Sequence, residues 1–154
     1  MIFRSATVDD FDVVMPLIYE LAKLHIEGKP EIFKAAPKLS KKDFKNLIKS
    51  DNRTFTLLEI DGEIVGVSNW QVRQCRNNET LSDRTFAVID EIAVSEKHRR
   101  KGYGKLLFSK TLELAAQKGA TSVELYVWEF NESAKKFYES LNMKPQRTLL
   151  ELEI

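Results

Sequence analysis

An apolar run at residues 85–94 passes through a basic loop with two glycines, Arg99-Arg100-Lys101-Gly102-Tyr103-Gly104, into a helical pattern at 104–118. A further alternating run follows at 122–127. Two strands joined through a helix can lie parallel, because the helix carries the chain back along the sheet. Upstream, Asp61-Gly62 stands between runs of β-formers at 54–60 and 63–72. That dipeptide is a strong signal for a two-residue hairpin, and hairpin strands are antiparallel. The chain is therefore expected to build one sheet with both kinds of pairing.

The remaining elements fit around that sheet. Residues 2–6 predict a short first strand. Thr7-Val8-Asp9-Asp10 has the form of a capping box, and Phe11, Val14, Ile18, Leu21 and Ala22 follow at helical spacing. Pro16 falls inside this pattern and lacks a backbone donor, which predicts a kink or a helix that begins near it. Residues 24–38, with Gly28, Pro30 and Pro37, predict the longest loop. Ser40-Lys41-Lys42-Asp43 is a second capping box, opening a helix through Leu47 and Ile48. Residues 75–84 are polar and turn-like. Leu106, Leu107, Leu114 and Ala115 share one face of the helix at 104–118, and Gly119 suits its C-cap. Ala134, Phe137, Tyr138 and Leu141 repeat as a helix at 131–141, Pro145 stops it, and 148–154 predict a last strand. The order is that of an α/β fold with a mixed, mostly antiparallel sheet flanked by helices. A chain of 154 residues suits a single domain, here 1–154.

Composition removes several function classes. Lys plus Arg number 24 and Asp plus Glu 23, so the net charge is +1, which argues against a broadly basic nucleic-acid-binding domain, and no nucleic-acid partner is expected. Cys75 is the one cysteine, which permits neither an internal disulfide nor a cysteine metal site; no metal is expected, and a reducing, cytoplasmic setting fits. The first ten residues lack a basic start followed by an apolar stretch, and no apolar run approaches the ~20 residues of a membrane helix, so no membrane partner is expected.

The loop carries the chemistry. Its glycines let the backbone approach a ligand, and its N–H groups join the free N–H groups of the first helical turn. The helix dipole favours an anion at that spot. Lys97, Arg99, Arg100, Lys101 and Lys105 place five cations within nine residues. A phosphate or diphosphate fits. A dinucleotide fingerprint fails for want of a third glycine, and a Walker A loop fails at Leu106 and at Arg99. A solvated charge run or a basic nucleic-acid patch is the alternative.

Arg99 to Gly104 fits the pattern Gln/Arg-x-x-Gly-x-Gly/Ala, and it is followed by a strand, Asn131, a helix and Tyr138. Joined to the block at 131–145, this resembles the GCN5-related N-acetyltransferase (GNAT) family. The resemblance covers nearly the whole chain, from the opening strand and capped helix at 2–10 to Pro145. It implies the acyl-CoA N-acyltransferase fold, with a splayed parallel central pair of strands, and acetyl-CoA as cosubstrate. It implies that the amides of Arg100, Lys101, Gly102, Tyr103, Gly104 and Lys105 cradle the diphosphate of coenzyme A, with Arg99 in the same loop. Ile92, Ala93 and Val94 would offer a strand edge to the pantetheine arm, with the splay between 91–94 and 125–127. Asn131 matches a position that contacts the pantetheine or acetyl region, and it equally suits an N-cap. Tyr138 matches the general acid, with a core aromatic as the alternative. Glu91 is the candidate base, against the alternative of a structural carboxylate paired with a cation. Strand alternation predicts that Asp90 points to the opposite face. The backbone N–H of Val94 is the donor for the developing oxyanion.

The acceptor is expected to meet residues 24–34, where Glu27 and Glu31 could attract an amine, Phe33 could pack on it, and His25 reads as a surface residue. A small-molecule amine leads over a protein N-terminus or lysine. A coenzyme A-binding module without turnover remains the alternative from another class. A covalent route through Cys75 has no support, because no histidine is near it in sequence. Oligomeric state is not readable from the chain, and a homodimer is compatible with it.

Overall fold

Asp61 and Gly62 both adopt positive φ, +51° and +81°, and join strand β2 (Arg53–Ile60) to strand β3 (Glu63–Cys75). Such a mirror-image turn matches the twist of the strands it connects. The computed structural model describes residues 1–36, 38–152 and 154. Strand β1 (Ile2–Ser5) precedes a 3-10 turn at Val8–Asp10 and helix α1 (Phe11–Gly28). Helix α2 (Lys41–Ile48) leads to β2 and β3, and then come strand β4 (Arg84–Val94) and a 3-10 turn at Glu96–His98. Helix α3 (Tyr103–Gln117), strand β5 (Ser122–Leu125) and helix α4 (Glu132–Ser140) follow.

The strands form one sheet in the order β1-β2-β3-β4-β5. The first three joins are antiparallel, and β4 pairs with β5 in parallel from Phe86 opposite Ser122 to Ile89 opposite Leu125. The mixed α/β architecture is the one expected. Val14, Ile18 and Phe44 from α1 and α2 pack on Leu57, Val67 and Ala93 at one face. Phe108 and Ala115 of α3 pack on Trp70, Ala87 and Ile89 at the other. A buried hydrogen bond, Ser68 Oγ to Thr111 Oγ1 at 2.8 Å, pins α3 to β3.

Three expectations change. Helix α1 begins at Phe11 and runs through Pro16, because the proline lies on the exposed side and the acceptor it leaves free, Asp12 C=O, belongs to the first turn. The same helix continues to Gly28 and takes over the start of the expected loop. Gly28 sits beneath the Phe130 ring, where a Cβ would stand 2.2 Å from a ring carbon, so a glycine is required at this close approach. Pro37, within the same expected loop, lies outside the described residues. The strand expected at 148–154 is absent from 148–152, and Glu153 lies outside the described residues. Arg147 Nη2 donates to the Tyr126 hydroxyl at 2.6 Å, just beyond the end of β5, and the described residues after it form no ladder with β5. The parallel pair therefore stands at the end of the sheet among the described residues, not at its centre.

Arg4 forks onto the buried Asp10 at 2.7 and 2.8 Å, and Asp10 also accepts from the Thr7 N–H and hydroxyl at 2.7 and 2.9 Å. The Arg4 hydrogen bonds outweigh burial and hold the Asp10 carboxyl down at about 2. A carboxyl whose folded value lies below its unfolded value of 3.8 stabilises the fold above that value and loses the contribution as pH falls toward 2. Asp10→Asn is expected to cost about 2 kcal/mol at neutral pH. Denaturant melts of both proteins should converge between about pH 4 and pH 2; a constant difference across that window would count against the ion pair.

Candidate active site

The β3–β4 ladder pairs Asn69 with Glu91 and Trp70 with Ile89, which leaves Asp90 as an extra residue. A bulge of this kind resets the alternation of side chains. The expectation that Asp90 faces away from Glu91 is therefore wrong. Arg53 Nη1 lies 2.9 Å from Asp90 Oδ2 and donates to Asn69 Oδ1 at 2.8 Å. Asn69 Nδ2 donates to Glu91 Oε2 at 2.7 Å. Glu91 thus ends a chain of polar groups that fixes one carboxylate oxygen. Burial raises the Glu91 carboxyl above its ordinary range; the Asn69 hydrogen bond opposes this, and the charge of Asp90 adds to it.

Beyond Ile89 and Leu125 the β4–β5 ladder stops, while β4 continues to Val94. The splay begins where it was expected. Ser95 N–H donates to Val65 C=O at 2.9 Å, on the β3 side. Main-chain donors alternate along a strand, so the N–H groups of Ile92 and Val94 face the open side. Ala93 turns its main-chain groups toward β3 and packs its methyl in the α1 core, which keeps it out of the opening. The opening is a cleft of about 90 Å³ whose lining includes Glu91, Ile92, Val127, Asn131 and Tyr138. Asn131 caps α4, its Oδ1 accepting from Ala134 N–H at 3.0 Å, and it lines the cleft as well. Tyr138 packs beside Phe108 and Phe137, with ring centroids 6.1 and 5.0 Å away. Its hydroxyl bonds to none of the described residues, and burial pushes its pKa up to about 12.

The basic loop divides into two parts. Lys97 pairs with Glu63, and Arg99 donates to Val94 C=O at 3.2 Å and to Glu20 at 3.0 Å, which anchors the loop to β3, β4 and α1. Arg100 and Gly102 then adopt positive φ, +61° and +83°. Among the described residues, the six N–H groups from Arg100 to Lys105 find no acceptor, and the side chains of Arg100, Lys101 and Lys105 form no ion pair. Gly104 brings this nest beside α4, since a Cβ there would stand 3.3 Å from the Phe137 ring. Successive N–H groups in such a curl bind anions, and the start of α3 adds its dipole.

On the α1 side of Glu91 lies a second cavity of about 180 Å³, lined by Ile18, Leu21, His25, Phe33, Ala35 and others. His25 stacks on Phe33 with centroids 5.4 Å apart, and Phe33 meets the edge of Trp128 at 5.2 Å. His25 is a wall of the cavity and not a surface residue, and burial lowers its pKa. Glu27 pairs with Lys23 at 3.7 Å and Glu31 with Lys29 at 2.9 Å, both in solvent and not on the cavity wall.

The sequence profile of the acetyltransferase (GNAT) family matches residues 18–143. The chain belongs to this family. An uncharacterized N-acetyltransferase of Methanocaldococcus jannaschii is 29% identical over 146 residues, which cover 95% of this chain and 62% of that protein. The chain thus spans less than two-thirds of that relative. An uncharacterized N-acetyltransferase of Archaeoglobus fulgidus is 27% identical, covering 94% of this chain and 93% of its own. A solved protein of Bacillus halodurans, crystallised as a tetramutant, superposes with a TM-score of 0.94 at 29% identity over the whole of both chains. An aminoglycoside acetyltransferase from a soil metagenomic sample, in complex with sisomicin, has a TM-score of 0.69 at 17% identity, covering 99% of this chain and 94% of that one, and shares the fold.

In this GNAT chain the fold brings Glu91, Ile92, Asn131 and Tyr138 to one cleft, with the Val94 N–H facing the same opening. The amides of Arg100 to Lys105 form the separate nest. Cys75 lies opposite Arg84 at the other end of β3, away from both. Arg53 and Asn69 are the site residues that sequence reasoning missed. Their polar side chains within strands were the available signal, and the bulge that joins them to Asp90 and Glu91 was not readable from spacing.

Proposed function

We propose that this chain transfers the acetyl group of acetyl-CoA to the primary amine of a small molecule, by direct attack in a ternary complex. The observation that carries this reading is that one carboxylate, Glu91, lines both the β4–β5 cleft and the cavity beside α1. A base at that junction can reach an amine in one and a thioester in the other. Six free amides and three unpaired cations fit a diphosphate, and the open donors of Ile92 and Val94 fit the amides of an extended arm.

An alkyl ammonium is deprotonated to roughly one part in 10³ at neutral pH, so a base is needed. Glu91, directly or through water, takes one proton from the ammonium, and the neutral nitrogen then bonds to the thioester carbon and sheds its second proton as the amide forms. The Val94 N–H stabilises the oxygen that gains charge. The C–S bond then breaks, and the sulfur takes its electron pair. Burial pushes the Tyr138 phenol up to about 12, so it is a weaker acid than a thiol, and complete proton transfer to the thiolate is uphill. Tyr138 therefore acts as a hydrogen-bond donor to the departing sulfur, or passes its proton as the C–S bond breaks and regains one from the proton that the amide nitrogen sheds.

Titration calorimetry is expected to give micromolar affinity for acetyl-CoA, with free thiol released on adding an amine. No heat and no thermal shift with acetyl-CoA would overturn the reading.

A further inference from the structure

We infer that the acceptor is a compact primary amine with one positive charge on an apolar body, seated between α1 and β4 with its nitrogen at Glu91. The inference rests on the acetyl-transfer reading and names the acceptor class. The cavity of about 180 Å³ suits a small amine, and its walls are Ile18, Leu21, Ala22, Ile26, Phe33 and Ala35. Glu91 is the charged group among its lining residues. The Glu91 oxygen that Asn69 does not hold is the natural partner for the nitrogen.

This lining discriminates by what it fails to satisfy. A second ammonium on the acceptor would rest on aliphatic or aromatic walls, and an unpaired buried charge is strongly disfavoured. Glu27 and Glu31, which could have met it, hold Lys23 and Lys29 outside the cavity. His25 is stacked on Phe33 and offers the cavity a flat ring face, and burial disfavours its charged form. Sugar hydroxyls would likewise lose water without gaining partners. An alkyl or aryl body loses no hydrogen bond and gains contact with Leu21 and the Phe33 ring.

The test is a comparison of kcat/KM by thiol release for 2-phenylethylamine, n-hexylamine, spermidine, L-ornithine, sisomicin and a lysine peptide, each with saturating acetyl-CoA. The two monocationic apolar amines are expected to exceed the others by at least about tenfold, since one buried ammonium without a partner costs more than one factor of ten. Phe33→Ala is expected to raise KM for 2-phenylethylamine about tenfold, a loss of the size expected for an aromatic contact, while KM for acetyl-CoA stays unchanged. Higher kcat/KM for spermidine, ornithine, sisomicin or the peptide overturns the acceptor class and leaves acetyl transfer standing. Calorimetric binding of acetyl-CoA with no amine of the panel acetylated also overturns the acceptor class. Failure of acetyl-CoA to bind overturns the parent reading instead. The wild-type panel decides the matter even if Phe33→Ala does not fold.

Discussion

Glu91→Gln is expected to lower kcat for amine acetylation by about 10²–10⁴-fold, the usual worth of a positioned general base. The substitution is nearly isosteric. A glutamine side-chain oxygen can still accept from Asn69 Nδ2, so the Arg53–Asn69 chain and the bulge at Asp90 keep their geometry. The nest from Arg100 to Lys105 lies beyond the end of β4 and is built from main chain that does not bond to the Glu91 side chain, so calorimetric affinity for acetyl-CoA should be unchanged. What disappears is the site that accepts the proton. The wild-type rate should fall as pH drops through the Glu91 value, which burial places above the ordinary carboxylate range. That acidic limb should be missing from the glutamine variant.

Stability should move the other way. A carboxyl raised in the folded state favours folding below its unfolded value, and that contribution is lost as pH rises through the folded value. Burial disfavours the charged form of Glu91, and glutamine removes that charge. Glu91→Gln should therefore melt no lower than wild type at pH 7, while it loses turnover. Undiminished kcat would return Glu91 to a structural role in the Asn69 network.

Much of this arrangement was legible before any coordinates. The Asp61-Gly62 hairpin, the two capping boxes and the basic glycine loop are local signals, written in a few adjacent residues with strong backbone preferences. The location of the nest followed from them. What was not legible depends on register and on tertiary contact. One extra residue in β4 reverses the expected side of Asp90, and only the pairing of Asn69 with Glu91 reveals it. His25 reads as a surface residue on its own, yet helix α1 extends far enough to place it on Phe33. The extension itself ends where Gly28 meets Phe130, a partner about 100 positions away. The residues at 148–152 carry a strand pattern, but a strand also needs a partner, and none of these residues pairs with the sheet.

Gly102→Val is expected to weaken acetyl-CoA binding by about 10²-fold while the thermal midpoint falls by no more than a few degrees. Gly102 sits at φ +83° and ψ −2°, between Arg100 at φ +61° and the first turn of α3. A β-branched residue is strained there by about 1–3 kcal/mol, and relief comes from turning the adjacent peptide planes. Those planes carry N–H groups of the nest. Hydrogen bonds to a charged group are worth about 1.5–3 kcal/mol each, so misdirecting one or two of them accounts for the loss. Steric collision is not the cause, because a Cβ at Gly102 meets no atom within 4 Å. That separates the backbone effect from a packing effect and supplies a control. Asparagine tolerates left-handed backbone far better than valine, so Gly102→Asn should retain most of the affinity at similar side-chain bulk. Calorimetric titration of the three proteins gives the order directly. Equal affinity in glycine and valine forms would mean that the curl at 100–105 does not hold the diphosphate, and equal losses in valine and asparagine forms would point to bulk instead of backbone.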